Sequence, residues 1–154
     1  MAVQVLELHH IGLRIANDAA DPMRDFYRDV LALNQDTGRW HIPGVHGYFL
    51  DVPNDVQVHL LGCDGPSRYA QGPDKDPVAN HVALAVADIL EAEVELKRLG
   101  VDYFTLDSVA SPNLKQLFLR DPGGNLIEIH QIGLCRCKKS MRHPTDVAAS
   151  SPAS

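Results

Sequence analysis

Two pairs of side chains of metal-ligating and proton-transferring type recur at one spacing along this chain. His10 and His81 stand 71 positions apart, and His59 and Glu128 stand 69 apart, so a single shift superimposes both pairs to within two residues. Each sits in a short apolar run. The first pair lies in Leu8-His9-His10-Ile11-Gly12-Leu13 and Asn80-His81-Val82-Ala83-Leu84, the second in Val56-Gln57-Val58-His59-Leu60 and Leu126-Ile127-Glu128-Ile129. Any one of these histidines alone reads as a surface or hydrogen-bonded structural residue. Packing gives no reason for four such groups to recur in register with an internal repeat.

The elements that must position them repeat as well. Val5 to Ile15 alternates as a strand, and Asp18 to Leu33 follows as a helix with Pro22 in its first turn, where a missing amide proton costs nothing. Strands are expected over 36–41, 47–52 and 56–61, broken by Pro43-Gly44 and Pro53-Asn54-Asp55. The second half begins with a strand at His81 to Ala87. Asp88 then caps a helix that runs to Leu99 and stops at Gly100. Strands over 102–106, 116–120 and 126–130 complete it, the last two joined by the turn Asp121-Pro122-Gly123-Gly124-Asn125.

Each half is thus β-α-β-β-β, and neither can close a core alone. The expected fold is α+β, with two tandem βαβββ modules joined into a curved, partly open mixed sheet and the helices on its outer faces. One domain over 1–132 holds module one at 5–62, a Gly- and Pro-rich linker at 63–78 and module two at 79–131. Residues 133–154 are expected to form a flexible tail.

Strand parity assigns directions. Ile11, Leu13 and Ile15 share one face of the first strand, leaving His10, Gly12 and Arg14 on the other. Val82, Leu84 and Val86 oppose His81, Ala83 and Ala85, while Val58 and Leu60 oppose His59, and Ile127 and Ile129 oppose Glu128 and His130. All four recurring groups therefore fall on the face that the main apolar alternation leaves free, expected to be the concave side. His9 shares the parity of the apolar set.

Composition narrows the partners. With 154 residues, 45% of them apolar, the chain can bury a real core. A net charge of −6 and a pI near 5.7 argue against nucleic acid or an anionic membrane as partner. No apolar run reaches the roughly 18 residues that span a bilayer, and no signal-peptide core is present. A soluble, cytoplasmic protein is expected. Cys63 stands alone, and Cys135-Arg136-Cys137 forms no disulfide framework; this Cys-x-Cys would hold a metal only with partners nearby, among which His143 is the one in sequence.

The runs His10-Ile11-Gly12-Leu13-Arg14-Ile15, Phe26-Tyr27-Arg28-Asp29-Val30-Leu31, His81-Val82-Ala83-Leu84 and Asp121-Pro122-Gly123-Gly124-Asn125-Leu126-Ile127-Glu128 resemble the vicinal oxygen chelate superfamily over residues 5–131. That superfamily contains glyoxalase I, methylmalonyl-CoA epimerase, fosfomycin-resistance thiol transferases, extradiol dioxygenases and bleomycin-binding proteins. The resemblance implies that His10, His59, His81 and Glu128 ligate one divalent ion. Three imidazoles and a carboxylate suit Zn²⁺, Ni²⁺, Fe²⁺, Co²⁺ or Mn²⁺ rather than Mg²⁺ or Ca²⁺. Such an ion keeps positions open for two adjacent oxygens of a small-molecule substrate and acts as a Lewis acid.

The activity so implied is a lactoylglutathione-lyase-like lyase or isomerase, with Glu128 as the catalytic base and Arg14 binding a substrate carboxylate. His59 departs from glyoxalase I, which carries Glu at that position, and so weakens the proton-shuttling reading. The alternatives are an extradiol-type Fe²⁺ dioxygenase, for which two histidines and one carboxylate suffice, a thiol transferase, or a non-catalytic drug-sequestering protein. Trp40, Tyr48, Tyr69 and Tyr103 are further candidates for the pocket wall, and His41, His46 and His130 carry weak signals. A homodimer is expected, with His10 and His59 meeting His81 and Glu128 either within one chain or across two.

Overall fold

The computed structural model describes residues 2–135. Its elements are β1 (Val5–Ile15), a 3-10 turn (Asn17–Ala19), α1 (Ala20–Asp29), β2 (Asn34–Gln35), β3 (His46–Val52), β4 (Val56–Gly62), β5 (His81–Val86), α2 (Ile89–Leu99), β6 (Tyr103–Asp107), β7 (Lys115–Arg120) and β8 (Leu126–Gln131). The strands form one mixed sheet in the order β2-β3-β4-β1-β5-β8-β7-β6, a palindrome of the two halves about the β1–β5 seam. β1 runs parallel to β4, β5 runs parallel to β8, and the remaining neighbours are antiparallel. The expected α+β class and the paired βαβββ order are both present. Residues 136–154, including Cys137, His143 and most of the expected tail, lie outside the described residues.

Local chemistry explains most boundaries. The Asp88 carboxylate accepts from the amides of Leu90 (2.8 Å) and Glu91 (3.1 Å), satisfying two orphan donors at the start of α2. Gly100 ends it at φ 69°, a left-handed conformation that a side chain resists. The strand expected over 36–41 does not form. Asp36 turns its carboxylate back onto the amide of Gly38 at 3.0 Å, and that local bond replaces a ladder bond.

α1 packs on β3 and β4, and α2 on β7 and β8. Ala20 of α1 packs with Tyr48, Leu50 and Leu60 of the sheet, and Ile89, Ala92 and Leu96 of α2 pack with Leu117 and Ile129. Between the helices the seam is bare, which corrects the parity expectation. Ile11 and its cross-strand partner Val82 are 37% and 41% exposed, because the clusters under the helices take in only the ends of these strands, Leu13 and Ile15 of β1 and Val86 of β5. The buried side of the seam is the one that carries the histidines.

The linker is held by one carboxylate. Asp76 accepts from Ser67 Oγ (2.6 Å), the Ser67 amide (2.8 Å), the Val78 amide (3.0 Å) and Arg14 Nη1 (3.0 Å). Partial burial opposes its ionisation, but these donors outweigh that and hold the carboxyl below its usual value. A depressed carboxyl stabilises the fold above its unfolded pKa and loses that contribution as pH falls through the folded value. Asp76→Asn is therefore expected to lower stability by about 1.5–3 kcal/mol at neutral pH. In urea titrations its deficit against wild type should shrink below about pH 4; a constant deficit would show that the charge is not involved.

Candidate metal centre

Register places the four recurring residues symmetrically about the seam. Gly12, two residues after His10, pairs with His59, and Ala83, two residues after His81, pairs with Glu128. Across the seam His10 pairs with Ala83 and Gly12 with His81. Each histidine thus faces a very small residue, which leaves room for its ring to lie over the neighbouring strand.

Three donor atoms converge. His10 Nε2 lies 3.2 Å from Glu128 Oε2, His81 Nε2 lies 3.0 Å from the same oxygen, and the two nitrogens are 3.2 Å apart. All three residues are buried. His81 Nδ1 donates to Ala79 O at 2.7 Å, which turns its Nε2 toward Glu128. His10 Nδ1 sits 2.8 Å from His9 Nδ1, so one of this pair donates to the other. Glu128 Oε1 is engaged separately, by Gln116 Nε2 and His130 Nε2.

His59 is brought alongside but is turned differently. Its ring lies flat between Phe49 (centroids 3.5 Å, 5° between planes) and His10 (3.9 Å, 21°), and its Nε2 contacts Gln57 Oε1 at 2.9 Å. The Gln57 amide in turn donates to Asp36 and Asp51. Arg39 closes the stack above Phe49, its guanidinium 5.0 Å from the ring centroid. His59 thus presents a face, not a nitrogen, to His10.

Arg14 does not reach the cavity. Its guanidinium binds Asp76, Cys63 O and Gly65 O on the linker, at the far end of β1. The parity that placed it beside His10 holds along the strand, but the linker folds over the end and takes the cation. Among the aromatic candidates Tyr69 lines the cavity, whereas Tyr48 bonds Asp21 and Tyr103 bonds Glu93.

Two residues enter the centre that the repeat spacing did not select, and parity had placed only one of them, His130, on the inner face. His9 is 3% exposed because the β1–β5 register shifts between Leu8 and His10, so consecutive residues both turn inward at a bulge. His130 was visible as the partner in parity of Glu128; its Nε2 contacts Glu128 and its ring stacks on His9 at 4.5 Å.

The electrostatics follow from a lone carboxylate among buried rings. Burial pulls His10 down to about 4, against the opposing pull of Glu128, and holds His59 well below the ordinary imidazole value. For His81 and His130 burial acts the same way, but Glu128 outweighs it and raises both. Burial opposes ionisation of Glu128, yet His130 and His10 hold it well below the usual carboxylate range. At neutral pH the centre therefore offers a carboxylate and at least two uncharged imidazoles.

Above it lies a cavity of about 70 Å³. Its walls include Ile42, Val45, Phe49, Val78, Leu106 and Phe118, and Glu128 supplies its carboxylate. Buried donors at the floor of an apolar cavity define a ligand-binding centre on a paired βαβββ sheet. The profile of the Glyoxalase/Bleomycin resistance protein/Dioxygenase superfamily matches residues 7–129, and the chain belongs to that superfamily.

No curated protein sequence matches the chain. Among solved structures it is similar to methylmalonyl-CoA epimerase from Mycobacterium tuberculosis, with 25% identity, 85% of this chain and 91% of that one covered, and a TM-score of 0.63. It is also similar to a hypothetical protein from Bacillus halodurans C-125 (22%, 81% and 93%, 0.61). A mutant of homoprotocatechuate 2,3-dioxygenase from Brevibacterium fuscum aligns at 18% identity over 84% of this chain and 33% of that one, with a TM-score of 0.57. Among the described residues no helix is long and apolar enough to cross a membrane.

Proposed function

We propose that the chain is a divalent-metal-dependent enzyme that holds its ion with His10, His81 and Glu128 and takes a small substrate through two adjacent oxygens. The observation that carries this reading is the triangle of donor atoms, with edges of 3.0–3.2 Å. Cis donors on an octahedral ion with bonds of about 2.1 Å are separated by about 3.0 Å, so the three atoms have the spacing of one octahedral face. Two imidazoles and a carboxylate fit Fe²⁺, Mn²⁺, Co²⁺, Ni²⁺ or Zn²⁺. When bound, such an ion would polarise the adjacent substrate oxygens as a Lewis acid.

The protein's own groups do the rest. Ala79 O and His9 fix the two ligand rings through their Nδ1 atoms, and Gln116 and His130 fix Glu128 through Oε1, the outer contacts on which metal affinity depends. The apolar walls exclude water. His59, kept neutral by burial, lies against His10 as a group able to accept or donate a proton.

Two reactions suit such a centre. Extradiol-type oxygenation needs only a facial set of two histidines and one carboxylate, and this is the set that converges. A lyase or isomerase needs in addition a base near the substrate. Among the described residues the cavity lining provides only Glu128 as a carboxylate, and that group is committed to the centre. This supports oxygenation over the lyase or isomerase that the resemblance implied, and the likeness to the epimerase supports the second reading. A drug-sequestering protein has no use for three converging buried donors.

The test is metal analysis of chain purified without a histidine tag, then anaerobic Fe²⁺ loading and addition of a catechol, with oxygen uptake as the readout. Uptake stoichiometric with catechol loss is expected. Turnover of methylglyoxal–glutathione hemithioacetal or of a methylmalonyl thioester, without oxygen uptake, would select the lyase or isomerase. A chain that retains no divalent ion would overturn the proposal.

A further inference from the structure

We propose that His9, His130 and Cys135 form a second cation site, suited to a soft or borderline d-block ion such as Zn²⁺, Co²⁺ or Cu⁺, which competes with the centre at Glu128. One donor atom from each residue lies within 4.8 Å of the other two. His9 and His130 are 3% and 1% exposed, their rings stacked 16° from parallel. His130 Nε2 is taken up by Glu128, but its Nδ1 is buried with no hydrogen-bond partner among the described residues. A buried ring nitrogen left in that state is costly unless something meets it. Cys135 lines the same cavity, past the end of β8.

The donor chemistry selects the ligand. A thiolate with two imidazoles favours Zn²⁺, Co²⁺ or Cu⁺ and disfavours Mg²⁺ and Ca²⁺. Donors about such an ion, with bonds of about 2.0 Å to nitrogen and 2.3 Å to sulfur, stand about 3.5 Å apart. An adjustment of about an ångström at Cys135 closes the site. Binding forms the metal–sulfur bond and releases the thiol proton to solvent, so charge and atoms balance without a redox partner.

Competition follows from shared groups, and this part rests on the reading of Glu128 given above. His130 belongs both to this set and to a group with His10 and Glu128. When His10 ligates through Nε2 its Nδ1 proton needs His9 Nδ1, 2.8 Å away, as acceptor. An ion on His9 removes that acceptor through either nitrogen. Taken at Nδ1 the lone pair is consumed, and taken at Nε2 the ring proton moves to Nδ1.

The experiment titrates metal-free, full-length chain with Co²⁺ alone and follows the near-ultraviolet thiolate-to-cobalt charge-transfer band, with circular dichroism verifying the fold of each variant. Wild type should develop the band, C63S should keep it, and C135S should lose it. Glu128→Gln should develop it at several-fold lower Co²⁺, because the rival centre is weakened. A bound Co²⁺ with no band, a band that survives C135S, or one lost in C137S but kept in C135S overturns the site. The band intact with an unchanged midpoint in Glu128→Gln upholds the thiolate site and overturns the competition, and a Co²⁺ stoichiometry equal in wild type and Glu128→Gln sinks the Glu128 centre instead.

Discussion

Glu128→Gln is expected to give a folded chain that no longer holds an ion at His10 and His81 and has lost the activity, any ion that remains carrying the thiolate signature of Cys135. The change removes the only negative charge among five buried imidazoles, those of His9, His10, His59, His81 and His130, while keeping the size of the side chain. It also removes the one atom, Oε2, that both His10 and His81 approach within 3.2 Å. Loss of an outer contact typically costs 10–100-fold in metal affinity, so loss of the ligand itself should cost more than about 100-fold. Gln116→Ala, which leaves Oε1 without its amide donor, should fall within the 10–100-fold range. Elemental analysis and competitive chelator titration measure both. A Glu128→Gln, Cys135→Ser chain with full metal occupancy would refute the assignment.

Gly12→Ala should empty the centre almost as completely, although Gly12 carries no ligand. A methyl group there would overlap the His81 ring at Cε1, Nε2 and Nδ1. The ring has little freedom to yield, being held by Ala79 O on one side and meeting Phe118 edge-on. Overpacking of this kind costs roughly 1–3 kcal/mol, and here relief comes only if His81 leaves its place. The expected result is a folded chain, less stable by that amount, with metal content close to that of His81→Ala. A double-mutant cycle separates the clash from general damage. With the ring gone, Gly12→Ala in an His81→Ala background should cost almost nothing, so the coupling energy should approach the whole cost of the single change. Additive losses would show that Gly12 acts through the strand and not through His81.

The order of elements was legible along the chain because it rests on local chemistry. Asp88 and Gly100 bound α2 as helix caps do anywhere, and Asp121 organises the β7–β8 turn by accepting from the amides of Gly124 and Asn125. The pairing of His10 with His81 and of His59 with Glu128 was legible too, because a duplicated unit repeats its residues at a fixed interval. His81, Glu128 and His130 were assigned to the inner face correctly, since a strand alternates with period two as long as its ladder is unbroken.

Where the ladder breaks, the sequence is silent. The bulge between Leu8 and His10 turns His9 inward, against its parity, and makes it a partner of His10 and His130. Nothing in a list of residues says that Gln57 would engage His59 by its edge, or that Asp76 would draw Arg14 onto the linker. The bare seam at Ile11 and Val82 was likewise hidden, because alternation reports that one face is apolar and not whether a helix reaches it. Residue order alone set which groups recur and which elements carry them. Which nitrogens and oxygens meet came from the folded arrangement, because a coordination site is defined by angles and contacts between strands distant in sequence, and these depend on register, on bulges and on competition for hydrogen-bond partners.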